Sequence, residues 1–185
     1  MANKSYSTQL EIPQGIDLQI VSNNIIVKGP KGNLERKFLN PKIELVKEGS
    51  FLLFKCRQGF KFSQSDKMLM NSFKAHVKNM FIGVDKGYSA KLKICSGHFP
   101  MNVTVDSSNV MIKNFLGEKV PRKARILDGV KVQVQGDIIL VNGLDKEKVG
   151  QTAATIEQTT RITNKDRRIF QDGCYIISKP GDEND

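Results

Sequence analysis

Apolar residues at every second position mark the first structure in this chain. Ile16, Leu18 and Ile20 alternate with polar residues, Ser22-Asn23-Asn24 interrupts them, and Ile25 and Val27 resume the beat. Successive side chains on a strand point to opposite faces, so this pattern predicts a hairpin with one face on a core. The same cadence returns at Val103 and Val105, the polar turn Asp106–Asn109, then Val110 and Ile112. Phe51–Cys56 and Gly136–Val141 read as two further apolar strands, and Cys174–Ser178 as a last one entered through the turn Asp172-Gly173.

Helical spacing appears twice. Over Asp66–Val84, Leu69, Phe73, Val77 and Met80 fall on one stripe, and Gly83 is the expected stop. Over Thr152–Ile162, Ala153, Ile156 and Thr160 share a face with Val149 one turn earlier, after the charged turn Asp145–Lys148.

These elements repeat. At a constant offset of 85 residues, Ile16–Lys37 aligns with Met101–Arg122: Leu18 on Val103, Ile20 on Val105, Asn24 on Asn109, Ile25 on Val110, Val27 on Ile112, Lys28 on Lys113 and Gly32 on Gly117. Phe51–Cys56 keeps that offset with Gly136–Val141. Strands with a single helix per copy predict an α+β fold: a tandem duplication of a small unit of mostly antiparallel sheet plus one helix. The expected boundaries are 1–85 and 86–179, with 180–185 as an acidic flexible tail.

Composition narrows the partners. The 185 residues include 29 Lys and Arg against 19 Asp and Glu, a net charge of +10. The excess is shared, with 13 basic and 7 acidic residues over 1–85 and 16 and 12 over 86–185. Such a surface favours polyanions, nucleic acid foremost. Cys56, Cys95 and Cys174 are an odd, widely spaced set without a CxxC pair, which points to reduced thiols rather than a zinc cage or disulfide framework. Runs of 18 apolar residues are absent, and Met1–Ser7 lacks the apolar centre of a signal peptide, so neither a membrane span nor secretion is expected.

Catalytic patterns are missing. His76 and His98 are isolated, too few for a typical zinc site. No GxSxG elbow occurs, and the acidic residues are scattered through turns and helix starts. Gly29-Pro30-Lys31-Gly32 lacks the spacing of a phosphate loop and opens a basic strand. It reads equally as a plain hairpin turn or as a turn aiming Lys28 and Lys31 at phosphate. No enzyme activity, metal or cofactor is expected.

Two basic stretches stand out. Lys119, Arg122, Lys123 and Arg125 follow Lys113-Asn114 closely, and in an extended segment Lys123 and Arg125 share a face. That face fits a phosphate backbone; the alternative is a solvated edge whose lysines deter strand pairing. Arg161, Lys165, Arg167 and Arg168 close the second helix, ahead of Phe170 and Tyr175. Arginine suits phosphate and aromatic rings suit unpaired bases, although Phe170, among Ile169 and Ile176, reads first as a core anchor and Asp172 as a turn cap.

At these residues the chain resembles the universal large-subunit ribosomal protein number six family, in its eukaryotic and archaeal branch. The matching stretches are Val27–Gly32, His98-Phe99-Pro100 and Asn114–Lys119. The most specific is the C-terminal run Gln158, Ile162, Lys165, Arg168, Phe170, Asp172, Gly173, Tyr175, Ile176 and Lys179. Cys174 departs from the aliphatic residue usual in the family, and the 57–66 loop is shorter and lacks tryptophan.

The resemblance implies a structural, non-enzymatic protein of the large ribosomal subunit. Its second unit would be the main rRNA-binding one, near the sarcin–ricin region and the stalk base. The implied partners are large-subunit rRNA, neighbouring ribosomal proteins and, indirectly, translational GTPases. The implied location is the cytoplasmic ribosome, with nucleolar assembly in a eukaryotic source. Carried onto this chain, the rRNA contacts are Lys113, Asn114, Lys119, Arg122, Lys123, Arg125, Lys165, Arg167 and Arg168, with Lys28 and Lys31 in the first unit.

Overall fold

The structure, a computed structural model, describes residues 7–21, 24–38, 40–57, 59–60 and 62–182. Ser22 and Asn23 of the first predicted turn, positions 58 and 61 of the short loop, the first six residues and Glu183–Asp185 of the acidic tail lie outside the described residues. The chain divides into two compact units, Met1–Lys86 and Gly87–Asp185.

The first unit runs β1 (Ser7–Glu11), β2 (Asp17–Val21), β3 (Asn24–Gly29), β4 (Gly32–Lys37), β5 (Ile43–Glu48), β6 (Phe51–Cys56) and α1 (Gln64–Asp85). Its sheets are β2-β3-β4 and β1-β6-β5, antiparallel throughout. The alternation does what it predicts: Leu18, Ile25, Val27, Leu52 and Phe54 are buried, together with Met70, Val77, Phe81 and Val84 of α1. Strands β1 and β5 carry too little apolar alternation to be read in advance. They form because β6 pairs on both edges.

Helix α1 is longer than its periodicity at both ends. Ser63 is the N-cap of a capping box, taking the Asp66 amide on its hydroxyl while the Asp66 carboxylate takes the Ser63 amide at 2.9 Å. Gly83 is not the stop but lies buried inside the last turn; Gly87, at φ +79°, follows the C-cap Lys86. The left-handed residue just past a helix is the position that favours glycine.

The second unit runs β7 (Tyr88–Cys95), β8 (Asn102–Val105), β9 (Asn109–Lys113), a 3-10 turn at Phe115–Gly117, β10 (Arg122–Arg125), β11 (Val130–Gln135), β12 (Ile138–Gly143), α2 (Lys146–Thr159) and β13 (Gly173–Ser178). Its sheets are β8-β9-β10 and β11-β12-β7-β13, again antiparallel. The duplication reaches the register. Leu18 pairs with Val27, and Val103 with Ile112. The β5–β6 and β11–β12 hairpins each turn on a left-handed glycine, Gly49 at φ +59° and Gly136 at φ +57°. The fold is α+β, as the repeat predicts.

Helix α2 begins six residues before the predicted Thr152 and ends at Thr159 rather than Ile162. The charged segment read as a turn is its cap and first turn, with the Asp145 carboxylate accepting the Glu147 amide at 2.9 Å. Its predicted face is correct: Val149, Ala153, Ile156 and Thr160 are buried. Strand β13 has no counterpart in the first unit and lengthens the sheet past β7. After it, residues 179–182 close a turn in which Asp182 accepts the Lys179 amide at 2.8 Å. Among the described residues no helix is long and apolar enough to cross a membrane.

Candidate nucleic-acid interface

Residues 113–125 are held by their own apolar and aromatic members. Phe115 is buried, and the chain turns around it with Asn114, Leu116 and Gly117 all left-handed. Asn114, expected to meet RNA, donates its side-chain amide to the Pro100 carbonyl at 3.1 Å. A Cβ on Gly117 would stand 3.3 Å from the Phe99 ring. The His98-Phe99-Pro100 and Asn114–Lys119 stretches thus pack against each other. On β10 the alternation is clean: Ala124 is buried, and Lys123 and Arg125 are exposed on the opposite face. Lys113 and Lys119 are also exposed.

Arg122 behaves differently from its neighbours. It sits on the Ala124 side of β10, its guanidinium 4.2 Å from the Phe115 ring centre. It forms a bidentate pair with Glu118 at 2.5 and 2.8 Å, which holds that carboxyl below its usual range. The same guanidinium donates to the carbonyls of Thr159 at 2.7 Å and Arg161 at 3.3 Å. Those are the last helical residue of α2 and the first basic residue beyond it. Arg122 therefore ties β10 to the start of the second basic stretch, so that two segments remote in sequence are joined.

The second stretch, residues 161–169, is exposed apart from Ile162. Arg168 grips Asp166 at 2.8 Å, pulling that carboxyl down, while the Lys165 ammonium lies 4.8 Å from the Phe170 ring centre. Phe170 is half-buried against the core, and its other neighbour is His98, ring centre 4.9 Å away. Asp172 does not cap the turn into β13. It is wholly buried and reaches back to the 97–98 loop, accepting the amides of Gly97 and His98 and lying 3.0 Å from His98 Nδ1. This explains both histidine and aspartate without chemistry. Among the described residues there is no group of three or more His, Cys, Asp or Glu able to hold a metal ion.

In the first unit the Gly29–Gly32 turn docks on the end of α1. The Lys31 amide donates to the Val84 carbonyl at 3.0 Å and its ammonium to the Lys86 carbonyl. Two orphan carbonyls of the helix end are satisfied this way. Lys28 is exposed on β3.

A family model described as Ribosomal protein L6 matches residues 12–87 and 99–173. This chain belongs to the ribosomal protein L6 family. It is 44% identical over 177 residues to the large ribosomal subunit protein uL6 of Methanosarcina mazei, covering 95% of this chain and 98% of that one. The uL6 of Ignicoccus hospitalis is 44% identical over 173 residues, 92% of each chain. That of Methanobrevibacter smithii is 42% identical over 171 residues, 92% of this chain and 94% of the relative.

The L6 family residues that carry the resemblance are mostly scaffold: Phe99, Phe115, Gly117, Phe170 and Asp172 lock loops that display the cations. Sequence reasoning misses Lys91, Lys93 and Lys131, which lie on the face of the four-stranded sheet turned away from α2. Register aligns Lys131, Asn142 and Ser89 in one row, and Gln135, Ile138, Lys93 and Tyr175 in another. Only the strand assignments of β7 and β11 would have revealed this face, since its lysines are spread over 41 positions of sequence between Lys91 and Lys131.

Proposed function

We propose that this chain is a structural constituent of the large ribosomal subunit that docks on rRNA chiefly through its second unit. The observation that carries the reading is the Arg122 bridge, which fastens β10, the strand displaying Lys123 and Arg125, to the base of the exposed Arg161–Arg168 loop. The L6 family consists of ribosomal proteins, not enzymes, and the relatives above are named as large-subunit proteins. Contact is electrostatic and shape-based: Lys and Arg displace counterions from phosphates laid out by folded RNA. The contacting set is Lys113, Lys119, Lys123, Arg125, Lys165, Arg167 and Arg168, with Asn114 and Arg122 shaping the surface and Lys28 and Lys31 secondary. Within the subunit the site is beside the sarcin–ricin region and stalk base, on the side where translational GTPases act, as the family resemblance implies. The protein works in the cytoplasmic ribosome among neighbouring ribosomal proteins.

The corresponding sheet faces of the two units support the division of labour. In the first unit the face opposite α1 carries Glu11, Glu44 and Glu48 around Phe51 and Leu53, with Lys55 paired to Glu48 at 2.6 Å. In the second, Lys91, Lys93 and Lys131 stand there and the strand residues include no carboxylate. RNA favours the second face over the first.

The test is sedimentation of the tagged chain in its host on sucrose gradients. Near-stoichiometric residence in large subunits is expected, and charge reversal of Lys123, Arg125, Lys165 and Arg167 together should shift the protein to the top of the gradient. Undiminished incorporation of that variant would overturn the site assignment; a wild-type chain found mainly free would overturn the function.

A further inference from the structure

We propose that the groove between the 95–98 loop and the start of β13 receives one unpaired nucleobase of the bound RNA, stacked on Tyr175. The proposal rests on the rRNA-docking reading and deepens it. The groove has a volume of about 550 Å³ and is lined by Cys95, Gly97, His98, Ile169, Gln171 and Tyr175 among others. That is the size of a small-ligand pocket, roughly 300–1,000 Å³, and far too small for a folded partner.

Its walls suit a flat, partly apolar base. Tyr175 is 41% exposed and Ile169 61%, two large side chains left open to water along one groove. The phenol is fixed, donating to the Gln171 carbonyl at 3.2 Å, so the ring keeps its place without a ligand. The loop opposite is fixed by the buried Asp172 carboxylate, which holds Gly97 and His98. Such preorganisation lowers the entropy lost on binding. The Gln171 side-chain amide, on an exposed residue, donates one hydrogen to the Arg168 carbonyl at 3.5 Å, which leaves its second hydrogen and its oxygen for a base edge.

The rim is cationic where a strand entering and leaving would carry phosphates. Lys93 is the register partner of Tyr175, exposed on the same sheet face. Arg167 is close enough to act electrostatically on the Tyr175 hydroxyl: burial and the neighbouring Cys95 push that phenol up, and the Arg167 charge pulls it back. Two carboxylates, Asp172 and Glu157, act on that hydroxyl in the opposite sense to Arg167, but Asp172 holds the 97–98 loop and Glu157 accepts the Ile176 amide at 3.0 Å. A base stacked on an aromatic ring with cations tracking its backbone is the common mode of single-strand recognition.

The test uses the full chain and deproteinised large-subunit rRNA. Irradiation at short ultraviolet wavelength followed by mass spectrometry should yield nucleotide adducts on the peptides holding Cys95 or Tyr175. Tyr175→Leu should weaken salt-sensitive rRNA binding about fivefold or more, the loss expected for one stacked base, while Tyr175→Phe stays near wild type. Adducts confined to residues 113–125 and 161–168, with Tyr175→Leu binding as wild type, would overturn the groove and leave rRNA docking standing. A wild-type chain showing no salt-sensitive rRNA binding would overturn the docking reading and the groove with it. A Tyr175→Leu chain whose thermal midpoint has fallen is replaced by Gln171→Ala, an exposed position, for which binding equal to wild type together with absent groove adducts again refutes the proposal.

Discussion

The carboxylate of Asp172 lies 3.0 Å from Nδ1 of His98 and accepts the backbone amides of both His98 and Gly97, although its side chain is wholly buried. Burial pushes the Asp172 carboxyl up. The two amides and the His98 ring together outweigh burial and hold it below the ordinary carboxylate range. Because the folded value is depressed, the resulting stability is present above the unfolded carboxylate pKa and is lost as pH falls through the folded one. We therefore expect Asp172→Asn to cost about 1–3 kcal/mol at neutral pH, as for a buried hydrogen bond to a charged group. The difference from wild type should narrow as unfolding is repeated at pH values falling below the unfolded carboxylate value, about 3.9. A gap that is the same at pH 7 and pH 3 would contradict the charged, hydrogen-bonded state assigned to this residue.

Arg122 and its neighbours on β10 should separate stability from binding. Arg122 packs on Phe115, pairs with Glu118 and serves two carbonyls at the end of α2. Arg122→Ala should lower the unfolding free energy by about 1–3 kcal/mol, and Arg122→Lys should recover little, since a single ammonium replaces a planar fork. Lys123→Glu with Arg125→Glu should leave the denaturant midpoint nearly unchanged, both side chains being exposed. Their effect belongs in the salt titration: the slope of log affinity against log salt should fall by about one unit for each phosphate that is no longer neutralised. Equal destabilisation by all three substitutions would show that β10 is uniformly structural.

How legible the molecule is depends on the kind of signal. The hairpins around Leu18–Val27 and Val103–Ile112 are readable because alternation reports a buried face directly. The α+β class follows from the duplication. The helix ends are less readable: Ser63 and Asp145 cap from outside the apolar stripe, and Gly87 rather than Gly83 takes the left-handed position. Strand β5 is hard to read because a strand paired on a sheet can be specified by its neighbours more than by its own residues, whereas β7 and β11 do carry the signal, Tyr88, Ala90 and Leu92 and then Val130, Val132 and Val134 alternating with polar or small residues. Basic residues are found by counting, but counting cannot tell a displayed lysine from an arginine turned inward. Lys123 and Arg122 are adjacent in sequence and opposite in role. Asp172 reads as a local turn cap because its partners, Gly97 and His98, lie more than seventy positions away.

Cys174 places a thiol where the second core is closed to water. It is buried in the second core, and burial pushes its thiol up to about 11. Its amide donates to the Thr160 hydroxyl at 3.0 Å, so the strand is anchored there regardless of the side chain. A thiolate is the reactive form, so Cys174 should resist a thiol reagent at pH 8 in the native protein and react only after unfolding. Cys56 and Cys95 are half-buried and should be modified first. Cys174→Val should fold normally, within about 1.5 kcal/mol of wild type. Rapid native labelling of three thiols would refute the buried placement.

Gly29 is required for a different reason from the turn glycines. Its backbone is not left-handed; what it lacks is room. A Cβ there would fall 2.7 Å from Val84 Cγ2, 2.9 Å from Val84 Cβ and 3.0 Å from the Val84 carbonyl oxygen. The carbonyl cannot simply yield, because it accepts the Lys31 amide at 3.0 Å and so closes the β3–β4 turn onto α1. Gly29→Ala should therefore destabilise the first unit by about 1–3 kcal/mol, the range for forcing extra methyl groups into packed interiors. Shortening the opposing side chain relieves part of the clash but leaves the carbonyl in place. In a double-mutant cycle with Val84→Ala, the pair should be less destabilising than the sum of the singles by about 0.5 kcal/mol or more, without full recovery. Strict additivity in chemical denaturation would mean that the turn shifts away from the helix end instead of packing on it, and the variant would then lack the hydrogen bonds from Lys31 to the end of α1.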